Sequence, residues 1–296
     1  MTSGWIFLAA MIAAYGVANL LQSVAAARTD LHQGFNPRLL LKLGQHRAYV
    51  IGVGCQFAAF ALAFLARRDL PLFLVQSAVA AGLGITAVLG VAVLKWRLPA
   101  AELVLLVVLG VGLGGLIVAA EPMPSRQLPA AGVVLLVVAL FAIGATGFFA
   151  VRLHGAPGSV VLGALAGLAF GAAAVASRPL ASVHSLDRFA SDPLLYLVVL
   201  HSVVGQLLLG LAMQRGSTTA AVAAMDAAAA VPAAIVGLVF LGDSIHPGRE
   251  WIAAVGFLAT LLAVIGLSFY AEPQHHHEVA DVPSGRVSAP PAAARS

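Results

Sequence analysis

The sequence predicts an all-α, polytopic membrane protein, and three observations carry that prediction. Hydrophobic residues make up 61% of the 296 and charged residues only 9%, and the mean hydropathy of +0.99 lies far outside the range of soluble domains. The apolar residues come in unbroken runs of about 20, the length that crosses a bilayer core as a helix. These runs do not alternate with polar residues, which excludes an outer-membrane barrel. The pI near 9.7 arises from cations scattered singly through short loops. It reports topology and gives no ground for a nucleic-acid partner.

Nine windows bounded by charges, Pro or Gly read as spans: 5–27, 49–66, 71–94, 99–120, 129–151, 158–177, 193–213, 219–241 and 251–270. The first is longer than a signal-peptide core, and the stub Met1–Gly4 before it has no Lys or Arg, so it is expected to be retained. After it, leucines 39–41 and 43 alternate with Arg38, Lys42 and Arg47, a pattern suited to the membrane surface. The third span follows Pro71. Glycines 82, 84, 110, 112, 114 and 115 of the third and fourth are expected to let helices approach closely. Cys55 stands alone in an apolar run and reads as a packing residue. Residues 272–296 lose all apolar period and read as a disordered tail, whose run His275–His277 has no defined metal geometry.

With the amino terminus outside, eight loop cations fall in the cytoplasm against Arg67, Arg68, Arg126, Arg178, Arg188 and Arg249 outside. The basic first loop adds weight to that orientation, which leaves the carboxyl terminus cytoplasmic. A multi-pass protein of the plasma (inner) membrane is the expected location.

The two halves resemble each other at an offset of about 149 residues. The stretch beginning FALAFLARRDLPLFLVQSAVA lines up with that beginning LGLAMQRGSTTAAVAAMDAAA. Four spans, a linking span and four more would place the copies upside down relative to each other, as in many secondary transporters. The implied units are 1–120, 121–156, 157–271 and the tail 272–296. The first span IAAYGVANLLQSVAAAR, the segments LLLKLGQHRAYVIGVG and LPLFLVQSAVA, and above all VPAAIVGLVFLGDSIHPGREWIAAVGFLATLLAVIGL resemble the drug/metabolite transporter superfamily. The likeness is to its EamA-like members and, for nine spans, its NIPA-like branch. The hairpin acid is Asp243 after Gly242, where the family more often has glutamate, and the first-half hairpin Leu94-Lys95-Trp96-Arg97 is basic instead of acidic. The resemblance implies a transporter without naming its substrate.

Asp226 is the sharpest candidate residue. It lies about two turns inside the eighth span, and a charge at such a depth costs on the order of 2.5–3.5 kcal/mol on insertion scales, so it is expected to face a protein interior or a wet cavity. There it can bind a cation or exchange a proton, or serve as a structural carboxyl between helices. Pro232 removes a backbone donor further along and is expected to interrupt the helix. Asn19 and Gln22 share a face of the first span. With Gln56, Gln76, His201 and Gln206 they form a set of intramembrane polar groups expected to line a path, although each singly suits helix-to-helix hydrogen bonding. Glu102, Asp243 and Glu250 sit at helix amino ends and read as caps.

The expectation is a secondary transporter moving a small solute or ion by alternating access, with Asp226 as the coupling site. It would have no cofactor, no resident metal and the lipid bilayer as its surroundings, and a homodimer is compatible with it. A NIPA-like magnesium transporter, a lipid-carrier flippase and a non-transporting scaffold stand as alternatives. The absence of a Gly-Lys-Ser/Thr loop, HExxH or a nucleophile elbow argues against an enzyme.

Overall fold

A computed structural model describes residues 2–27, 47–94, 98–183, 185–215 and 218–270. The basic loop 28–46 and the tail 271–296 lie outside the described residues. The fold is all-α: α1 (Thr2–Ala27), α2 (Arg47–Ala66), α3 (Leu72–Ala80), α4 (Gly82–Leu94), α5 (Ala100–Ala119), α6 (Ala130–Ala150), α7 (Gly155–Leu180), α8 (Leu186–Ser191), α9 (Pro193–Arg215), α10 (Thr218–Phe240) and α11 (Glu250–Tyr270). Two short strands, β1 (Ala120–Glu121) and β2 (Ser244–Ile245), complete the list. Eight helical stretches of the described residues are long and apolar enough to cross a membrane, one of them running through α3 and α4, and α2 contributes a shorter apolar helix, Val50–Ala66. The protein is therefore a membrane-embedded helical bundle.

Proline sets several helix starts. Pro71, Pro99 and Pro129 stand just before α3, α5 and α6 with φ of −59°, −58° and −64°, the angle their rings impose and the one a helix start needs. Glycine sets an end: Gly242, at φ +75°, turns the chain after α10 so that the Asp243 N–H returns to the Gly237 carbonyl at 3.0 Å.

Packing joins α1 with α2, α7 with both α9 and α10, α5 with α11, and α3 with α10. A hydrogen bond from Ser3 Oγ to Asp69 Oδ2 (3.1 Å) places the start of α1 beside the end of α2, so these helices run antiparallel. Of the glycines expected at helix crossings, Gly82, Gly84, Gly112 and Gly115 do face a neighbouring helix, whereas Gly110 and Gly114 face open space. The third apolar stretch is divided at Ala81 into α3 and α4. In contrast α10 remains helical through Pro232, where an interruption was expected.

One face of the bundle gathers the α2–α3 turn, both strands and the segment between α10 and α11. There β1 pairs antiparallel with β2, Ala120 opposite Ile245 and Glu121 opposite Ser244. The His246 N–H donates to the Ala119 carbonyl at 2.9 Å and Arg249 Nη1 to the Val118 carbonyl at 2.7 Å. This stitched side is termed the latched face below.

Candidate functional site

Two polar groupings lie inside the bundle, and α3 touches both. The first is on the latched face. Arg178, in the last turn of α7, is fully buried and ion-paired with buried Asp243. Its guanidinium also donates to the carbonyls of Arg67 (2.6 Å), Leu70 and Met123 (3.4 Å). Arg67 and Leu70 flank the end of α2, where helical carbonyls lack intrahelical partners and attract a cation. Asp243 Oδ2 accepts the Leu72 N–H at 2.6 Å, capping the start of α3. The pair thus grips the α2–α3 turn at both ends, the cation on its carbonyls and the anion on its first free N–H.

Arg67 adds a second clasp. It is 5% exposed; Nη2 donates to Gln76 Oε1 at 2.8 Å and Nη1 to Ser177 Oγ at 3.2 Å. Burial pulls its guanidinium down to about 10, partly offset by Tyr15 and reinforced by the positive Arg178. Arg67 stays charged at neutral pH, held by an amide and a hydroxyl.

This grouping corrects two expectations. Asp243 does not cap the helix that follows it; it caps α3, 171 positions away in the chain. Arg67 and Arg178, read as loop cations, are buried inside the bundle. Gln76 faces Arg67. Window-based span assignment hides this because it treats any charge as a boundary. The available signal was Arg178 followed by Pro179, a cation in what reads as the last turn of an apolar helix.

The second grouping is deeper. Asp226 of α10 is half-buried and lines a cavity of about 10 Å³ with Ser77 of α3 and with Phe257 and Thr260 of α11. That volume is near the minimum for one water. Among the described residues Asp226 has no hydrogen-bond or ion-pair partner. Ser77 Oγ donates to the Phe73 carbonyl at 2.8 Å and keeps a lone pair free. Thr260 is 2% exposed, and its hydroxyl is without a partner among the described residues. An aspartate, a serine and a threonine therefore border one cavity, contributed by three helices.

The remaining candidates are dispersed. Asn19 is half-buried on α1, and Gln56 and Gln206 are exposed on α2 and α9. The Gln22 side chain lies outside the described residues. His201 is fully buried; its Nδ1 meets the Leu197 carbonyl at 2.9 Å, and Nε2 has no partner among the described residues. Pro232 lines a different, larger cavity, whose other walls come from α6 and α7. Among the described residues no three His, Cys, Asp or Glu side chains group as a metal site would require. No family model matches this chain, and no curated protein or solved structure is significantly similar to it.

Proposed function

We propose that the protein is a secondary transporter that moves a small solute by alternating access, with Asp226 as its coupling carboxylate. The observation that carries this reading is the placement of Asp226: a half-buried acid in a membrane helix, without a partner among the described residues, in a cavity shared with Ser77 and Thr260 of two other helices. Intramembrane carboxylates facing a cavity mark ion and substrate paths. One carboxylate with two hydroxyls suits a proton or a monovalent cation. Magnesium demands octahedral oxygen coordination and keeps most of its water, for which a cavity of about 10 Å³ has no room. A proton is therefore preferred over a divalent cation as the ion that Asp226 exchanges.

The architecture proposed with it has nine spans, counting α2 and joining α3 to α4, arranged as inverted four-helix repeats about α6 in the manner of the drug/metabolite transporters. Two pairings support it. The α1–α2 packing of the first half has its counterpart in α7–α9 of the second, and across the halves α3 meets α10 and α5 meets α11. These are the pairs that a pseudo-two-fold axis in the membrane plane would exchange or join. In this reading the latched face is the outer side of the plasma membrane, and the Arg178–Asp243 grip on the α2–α3 turn is the closed gate.

The test is proton release on solute addition, using detergent-purified wild type and Asp226→Asn against amines, amino acids, sugars and metals. The reading expects release by the wild type on at least one solute and none by the variant. Release that survives in Asp226→Asn would remove Asp226 from the mechanism.

A further inference from the structure

The larger cavity is a groove of about 470 Å³ between α6, α7 and α10, lined by 17 residues without one polar side chain. It runs from Leu128 and Pro129, at the latched face, along α6 to Ile143, about 18 Å at helical rise from Ala131. On α7 it ends at Leu168 and on α10 at Pro232, both near mid-helix. Its depth therefore matches one leaflet of the hydrocarbon core, about 15 Å, and the interface above it. A wholly apolar groove of that depth, half open to its surroundings, suits a lipid acyl chain.

A cation stands at the mouth. Arg126 is exposed and belongs to the segment leading into Leu128; its backbone N–H donates to the Leu241 carbonyl at 3.0 Å. Its side chain lies against Gly242, where a Cβ would sit 2.8 Å from Nε. Glycine at 242 therefore leaves room for the guanidinium two residues from Phe240, which lines the groove. Among the described residues that guanidinium has no hydrogen-bond or ion-pair partner. At headgroup depth an unpaired guanidinium attracts lipid phosphate.

We propose that this groove is a binding site for an anionic phospholipid of the latched-face leaflet, one acyl chain between α6, α7 and α10 and the phosphate on Arg126. The site depends on the protein being embedded in a membrane and is independent of the transport reading. An apolar groove alone would take any acyl chain, and Arg126 supplies the preference for negative charge.

Native mass spectrometry of the detergent-purified full chain, titrated with phosphatidylglycerol or phosphatidylcholine of identical acyl chains, tests both parts. Wild type should retain one phosphatidylglycerol about fivefold more tightly than phosphatidylcholine, the factor one interfacial cation supplies. Arg126→Gln should bring the two lipids level. Ala139→Phe, in the groove, should lose the retained lipid of either kind. Ala145→Phe, on the same helix but absent from the groove lining, should keep it and so controls for folding damage. Equal affinity for both lipids in the wild type, a preference that survives Arg126→Gln, or lipid retained by Ala139→Phe would each overturn the proposal. So would a dimer mass that Ala139→Phe abolishes, which would make the groove an interface between copies.

Discussion

Removing one member of the Arg178–Asp243 pair leaves the other charge buried and uncompensated, at a cost of about 3–5 kcal/mol. Asp243→Asn should therefore lower the thermal unfolding midpoint in detergent markedly. The double change Arg178→Met with Asp243→Leu should cost less than either single loss, because no unpaired charge remains. Asp226→Asn should behave in the opposite way: Asp226 has no partner to lose among the described residues, so unfolding stays at the wild-type midpoint or above, while proton-linked solute binding disappears. Two acids in one chain are thus separated by which measurement they move. Asp226 was legible in the sequence because nothing else charged interrupts its apolar run. The role of Asp243 was not, since its partners Arg178 and Leu72 lie 65 and 171 positions away and no local pattern brings them together.

At the scale of helices, hydropathy located the membrane stretches because about 20 apolar residues have one solution in lipid. It did not locate the interruption. Pro232 sits inside a continuous α10, while Ala81, between Ser77 and Gly82, divides α3 from α4 with no proline present. The glycines after Ala81 pack on other helices: Gly82 meets Tyr15 of α1 and Gly84 meets Leu109 of α5. The α7–α10 crossing is closer still, since a Cβ at Gly167 would lie 2.2 Å from the Met225 carbonyl oxygen. Gly167→Ala must push the two backbones apart and should destabilise by about 1–3 kcal/mol. Gly110→Ala, on α5 with nothing within 4 Å, should stabilise by roughly 0.5–1 kcal/mol through helix propensity. Chemical unfolding of both variants beside the wild type reads the two signs. The sequence singled out Gly110 as a crossing residue and passed over Gly167, because composition alone cannot say which glycine faces a helix.

For the whole molecule, the membrane class was settled by composition, whereas the sidedness of the polar groups came only with the tertiary structure. Each link that crosses between residues 67–121 and 178–249 on the latched face has at least one partner outside the apolar windows: Arg178 and Asp243 on the turn at 67–72, the strand 244–245 on 120–121, and Arg249 on Val118. These links predict that the carboxylate at 226 is reached from the opposite face alone while they hold. The most direct measurement puts a thiol there, Asp226→Cys with Cys55 changed to Ala, and follows its modification by a membrane-impermeant reagent applied to each face of sealed vesicles. The account predicts reaction from the opposite face, protection from the latched face, and about tenfold faster reaction from the latched face once Arg178→Gln releases the turn, a factor that about 1.4 kcal/mol of gate stabilisation supplies. Equal reaction from both faces in the parent, or protection unchanged by Arg178→Gln, would contradict it.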